Sequence, residues 1–217
     1  MPSVLKPDLG LLRAEARRYF DGARGSHDWD HTERVYNLSL RIGPLEGADM
    51  DIVLPAALLH DIGREKESLS HGAVCHAALG AEEAAVVLAR LGYDEGFVRA
   101  VAHCVAAHRF RGRVRPESVE ARVIYDADKL DAVGAVGIGR AFLFAGEIGA
   151  RLHDPGVDPE KTRSYTREDT AYREFLVKLR FIKGRLLTET GRRIAEDRHA
   201  FMTDFFDRLN QEVAGTL

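Results

Sequence analysis

The chain is predicted to be all-α: a single-domain helical bundle with two long C-terminal helices packed against it. Three observations carry this expectation. Apolar residues recur every three to four positions along nearly the whole chain, the period of a helix with one buried face. No segment shows the sustained alternation bounded by turn pairs that strands require. The 217 residues are 45% hydrophobic and 30% charged, enough apolar side chain for one core and too much for a disordered chain.

The elements follow in order. Leu11, Leu12, Ala16, Tyr19 and Phe20 make a first stripe. Asp30 with Glu33 fits a capping pattern that places His31 in the first turn of the next helix. Val35, Leu38, Ile42 and Leu45 continue that helix, and Gly47 ends it. Ile52 to Ile62 is apolar on most sides, as in a helix buried within a bundle. Ala73 to Leu91 is alanine-rich and stops at Gly92, a C-terminal cap. Phe97, Val101, Cys104, Val105 and His108 share one face of the next helix, and helices over Val119 to Leu130 and Val133 to Ile148 come after it. Residues 151–169 hold Pro155, Gly156 and Pro159 and read as a long surface loop. Tyr172 to Leu187 and Arg192 to Val213 are the two long amphipathic helices, with Thr188 or Thr190 opening the second. Gly134, Gly137 and Gly139 follow no strand and are in the wrong order for a dinucleotide loop, so close helix packing is expected there.

Composition excludes several function classes. Lys plus Arg is 31 against 34 Asp plus Glu, a formal charge of -3, so no strong positive field draws in nucleic acid or anionic lipid. Cys75 and Cys104 form no CxxC pair, which speaks against a disulfide framework or a zinc ribbon. The first residues lack an apolar signal core, and the apolar stretches are too short to span a bilayer. A cytoplasmic protein is expected, and the oligomeric state is left open.

The placement of histidine is the chemical signal. Seven of the nine histidines fall between positions 27 and 108. His60 and Asp61 are adjacent in an apolar helix, a costly place for two polar groups unless something pairs them. A divalent ion does so: imidazole and carboxylate together suit Mn, Fe, Co, Ni or Zn, or Mg where carboxylate and water dominate. His27, Asp28, Asp30 and His31 lie upstream, and Asp126, Asp128 and Asp131 downstream. Spacing alone does not choose among the last three.

His31, then His60-Asp61, then Asp128 resemble the H…HD…D signature of the HD superfamily of metal-dependent phosphohydrolases. HDWDHTERV, ALLHDIGR, HRFRG, DADKLDAVGAVGIGRAF and the tail GRLLTETGRRIAEDRHAFM are similar to the small stand-alone bacterial HD hydrolases of the YedJ type, over nearly the whole chain. The resemblance implies one HD-type domain over 1–217, with an HD core over about 20–150 and a C-terminal helical extension over about 168–214. It also implies that His31, His60, Asp61 and Asp128 ligate one divalent ion, with Asp131 on the same helix face in a supporting or substrate-binding role.

Such an ion lowers the pKa of its water from about 15.7 toward roughly 7 and polarises a phosphoryl oxygen. Asp61 is expected both to ligate and to orient that water. Lys129 and Arg64 are the cations expected to meet the phosphate oxygens, with Lys66 a further candidate. His76 and His108 would hold a second ion bridged by Asp61, contact the substrate phosphate, or be hydrogen-bonded core histidines. His27 and Asp28 would contact substrate or support His31. Arg109, Arg111 and Arg113 would attract an anion or remain solvated, His103 lies off the apolar stripe and is the weaker candidate for the site, and His71, His153 and His199 are assigned surface or packing roles.

The expected function is hydrolysis of a small phosphoester, nucleotide or pyrophosphate-type compound. One ion is expected and two are accommodated. The alternatives are an HD-type di-iron oxygenase, which predicts two irons and a need for oxygen, and a non-catalytic nucleotide or metal sensor, which predicts affinity without turnover.

Overall fold

A computed structural model describes residues 6–20, 28–70, 73–109 and 114–217. Ten α-helices and no strands occur among them, as the apolar periodicity predicts. They divide into two compact units, and the division falls after Asp128, near the end of the seventh helix.

The first unit holds α1 (Leu9–Arg17), α2 (Trp29–Ile42), α3 (Met50–Leu59), α4 (Arg64–Leu69), α5 (His76–Arg90), α6 (Glu95–Ala107) and most of α7 (Val119–Leu130). α3 is its axis. Its residues from Val53 to Leu59 are all buried, so it can accept neighbours on every side, and α1, α2 and α6 pack on it. α5 and α6 pair closely. Leu12, Val35, Ile42, Leu58, Leu59, Leu88 and Ile124 fill the core with almost no solvent exposure.

Caps account for the helix starts. Asp8, Asp49 and Asp94 each accept a backbone N–H from the first turn of the helix that follows. For α2 the cap is Asp28, not Asp30: its carboxylate accepts the His31 N–H at 3.3 Å, and Asp30 lies inside the first turn, where a negative charge meets the helix dipole. His31 still falls in that turn.

The second unit holds α8 (Ala135–Glu147), α9 (Ala171–Val177) and α10 (Glu189–Ala214). Thr188 caps α10 by accepting the Gly191 N–H at 2.9 Å. The helix expected over 172–187 is interrupted: α9 stops at Lys178 (φ -140°, ψ -57°), and residues 179–185 form a 3₁₀ segment. The buried Phe175, Leu179, Ile182 and Leu186 are spaced by fours and threes, which suits either helix type, so periodicity cannot separate them. Phe206 is the centre of this unit's core, with its ring 4.8 Å from Phe175, 5.3 Å from Phe205 and 5.6 Å from Tyr172. Gly137 packs as expected: a Cβ there would collide with the Ala132 carbonyl and sit 2.9 Å from Met202 Cε.

Candidate metal centre

His60 caps the C-terminus of α3 and Asp61 lies in the turn that follows, so the pair sits at the end of the buried helix rather than inside it. That turn runs tight against α5. A Cβ on Gly63 would collide with the His76 carbonyl and come within 2.8 Å of the Gly80 amide nitrogen. Only a residue without a side chain lets the turn reach the first residue of α5, and this approach brings His76 to Asp61. His108 arrives from the end of α6 and Asp128 from α7.

Two groups of ligand-type atoms result: His31, His60 and Asp128, and Asp61, His76 and His108. Asp61 joins them. Its Oδ2 lies 3.6 Å from His31 Nε2 and 3.8 Å from His60 Nε2. Its Oδ1 lies 3.6 Å from His76 Nε2 and 3.5 Å from His108 Nε2. Across the first group, His31 Nε2 is 3.2 Å from His60 Nε2 and 3.3 Å from Asp128 Oδ1. Across the second, His76 Nε2 is 3.1 Å from His108 Nε2. All the ligand-type side chains except Asp128 are buried.

The donor set fits a cation. His60 Nδ1 donates to the Ala57 carbonyl at 2.8 Å and His108 Nδ1 to the Val105 carbonyl at 2.6 Å. His76 Nδ1 donates to Glu67 Oε2 at 2.8 Å. Carbonyls and ionised carboxylates only accept, so these three rings carry their proton on Nδ1, and in the neutral ring Nε2 presents a lone pair. Burial keeps His60 and His76 neutral: it pushes His60 down to about 4 and His76 down to about 2, against the pull of Asp61. Burial alone would raise the Asp61 carboxyl, but the Arg64 guanidinium beside it holds Asp61 well below the usual carboxylate range. Neutral imidazole nitrogens therefore converge on a charged carboxylate, an arrangement suited to divalent metal.

Arg64 clamps Asp61, with Nη2 3.0 Å from Oδ1 and Nε 3.3 Å from Oδ2. Its Nη1 donates to Glu67 Oε2 at 2.9 Å. Lys66 is turned to Glu83. Asp28 is the α2 cap described above, and His27, His71, Arg111 and Arg113 lie outside the described residues. Arg109 is engaged by Glu67 and donates to Cys75 Sγ at 3.0 Å, so Cys75 is half-buried and hydrogen-bonded while Cys104 is buried. His103 Nε2 accepts the Glu117 N–H at 3.3 Å, away from the ligand groups. Asp131 pairs with Arg140 at 2.8 Å within the second unit, and Lys129, half-buried, opens that unit. Sequence reasoning missed Glu67. Its one local signal is that it follows Arg64 by three residues on a helix, a spacing common to countless solvated ion pairs.

An all-α chain with a histidine–aspartate pair at a helix end and ligand groups on both sides of it defines a class. The HD domain model matches residues 28–133, and the chain belongs to the HD domain family. It is 37% identical to the uncharacterised protein YpgQ of Bacillus subtilis over 193 residues, 87% of this chain and 85% of that one. The crystal structure of YpgQ in complex with ADP superposes with a TM-score of 0.75 at 32% identity, covering 96% of this chain and 99% of that chain. An HD-superfamily hydrolase from Bacillus thuringiensis gives a TM-score of 0.74 at 27% identity over 95% of this chain and 96% of its own. Among the described residues, no helix is long and apolar enough to cross a membrane.

Proposed function

We propose that the chain is a metal-dependent phosphohydrolase acting on a small phosphoester, with nucleotides the first class to test. The observation that carries this reading is the convergence of four imidazole Nε2 atoms on the two oxygens of Asp61. In this reading His31, His60 and Asp128 would hold one divalent ion and His76 and His108 a second, with Asp61 offering one oxygen to each group. Divalent ions there would supply acidified water and polarise a phosphoryl oxygen. Arg64 fixes the orientation of Asp61 and adds positive charge beside an anionic substrate, and Lys129, next to Asp128 in the chain, is the second cation for phosphate oxygens. Asp28 supports the first ion indirectly by holding the His31 backbone, and His27 and Asp131 are kept as substrate-side candidates. The ADP bound by YpgQ supports a nucleotide or pyrophosphate-type substrate.

The test is phosphate release from a panel of nucleoside mono-, di- and triphosphates and simple phosphoesters, with Mn, Mg, Co, Ni or Zn added to metal-free protein. Asp61→Ala is expected to reduce release to background and to weaken metal binding at both ligand groups while the helical circular dichroism is unchanged. Wild-type turnover in that variant overturns the assignment. The nitrogen-rich ligand set also favours a second reading, a di-iron oxygenase. Two equivalents of iron per chain with oxygen-dependent substrate loss, and no phosphate release, would select it.

A further inference from the structure

We infer that Glu67, outside the ligand set, is a positioning residue that sets the metal affinity of the Asp61–His76–His108 half of the centre. This rests on the metal-centre reading above and extends it to a residue that touches no ion.

Arg64 and Glu67 share one face of the short helix α4. Glu67 Oε2 accepts two hydrogen bonds, from His76 Nδ1 at 2.8 Å and from Arg64 Nη1 at 2.9 Å. Arg64 passes the connection on to Asp61 Oδ1 at 3.0 Å. Glu67 Oε1 is buried and lies 3.2 Å from Arg109 Nη2, in an ion pair without a hydrogen bond. Arg109 directly follows His108. One carboxylate thus reaches all three ligands of this half: His76 directly, Asp61 through Arg64, and His108 through its chain neighbour.

His76 differs in this from two of the other rings. His60 Nδ1 donates to the carbonyl of Ala57 and His108 Nδ1 to that of Val105, each three residues back in the chain, so their orientation comes with their own helices. A carboxylate behind an imidazole makes the ring a stronger ligand than a neutral carbonyl does, and losing such a partner costs roughly 10–100-fold in metal affinity. Glu67→Gln keeps the size and an acceptor oxygen but removes the charge. Because Asp61 serves both groups, the larger effect should fall on the half that His76 completes.

The experiment titrates the full-length, metal-free chain with Mn(II) alone, counting bound ion by electron paramagnetic resonance. Wild type is expected to bind two equivalents. Glu67→Gln is expected to weaken one step by about 10–100-fold and the other by clearly less. Two unchanged steps in the variant overturn the role of Glu67 and leave the metal-centre reading standing. Equal weakening of both steps also overturns it, because that is the mark of a general loss of structure. One equivalent in the wild type removes the ion Glu67 would serve, and none removes the metal-centre reading as well. A second measurement avoids the variant altogether. Nitrogen NMR of the imidazoles in metal-free wild type is expected to show His76 protonated at Nδ1, and an Nε2–H tautomer there overturns the inference.

Discussion

The two compact units handle buried charge in opposite ways. In the second unit, buried charges meet opposite charges directly: Arg173 Nη1 meets Asp169 at 2.7 Å, with Thr162 accepting from the same guanidinium, and Arg140 meets Asp131 at 2.8 Å. The apolar core of that unit is built on the aromatic cluster around Phe206. In the first unit, four histidines surround one aspartate whose own cation, Arg64, is shared with Glu67. Buried polar groups are retained at a cost in stability, and in the proposed reading the first unit's cluster is kept for an ion.

The sharpest way to break that comparison is to damage the aromatic core. Phe206 is fully buried against Phe175, Phe205 and Tyr172, so Phe206→Ala should cost about 3–5 kcal/mol. Urea unfolding would measure this, and metal stoichiometry of the folded variant should be unchanged. A loss of bound ion at full folding would show that the two units are not separable in function.

The next effect is acid sensitivity in the metal-free chain. Unfolded histidines titrate near 6.5, whereas burial holds His60 down to about 4 and His76 down to about 2. Above pH 6.5 both states carry neutral rings and stability does not depend on them. As pH falls below 6.5 the unfolded chain takes up protons that the native chain refuses, so stability falls. Between pH 7 and 5 the loss should be about 2 kcal/mol for each such histidine. Urea midpoints at the two pH values measure it, and saturating Mn(II) should raise the stability at both. A flat profile would mean the rings are charged or solvated in the native state.

The smallest effect compares two caps. Asp28→Ala and Thr188→Ala each remove an N-cap and should each cost about 1 kcal/mol in thermal or urea unfolding. Only the first also frees the backbone of a ligand, His31. It alone should weaken Mn(II) binding, and equal binding in both variants would sink that link.

Much of this was legible from residue order. Stripes such as Phe97, Val101, Cys104, Val105 and His108 fix which face of a helix is buried, and His108 was placed inward on that ground. The His60-Asp61 pair announced itself because two polar residues interrupt an apolar run. The cap of α2 was displaced by two residues because Asp28 and Asp30 offer the same chemistry, and the tertiary course of the chain decides between them. The break after α9 was hidden because the buried spacings suit both helix types. Glu67 was hidden for another reason. Its partner His76 is nine residues away on the next helix, and no local pattern marks a hydrogen bond between two helices.

The ligand-type residues come from five helices or helix ends, and from His31 to Asp128 they take in most of the first unit. An ion held by them would be a cross-link, joining segments whose closure has a large entropic cost in the unfolded chain. Its imprint on dynamics would then be collective. Amides of α2, α3, α5, α6 and α7 that now exchange with solvent by separate local openings would exchange only together, as a single cooperative block.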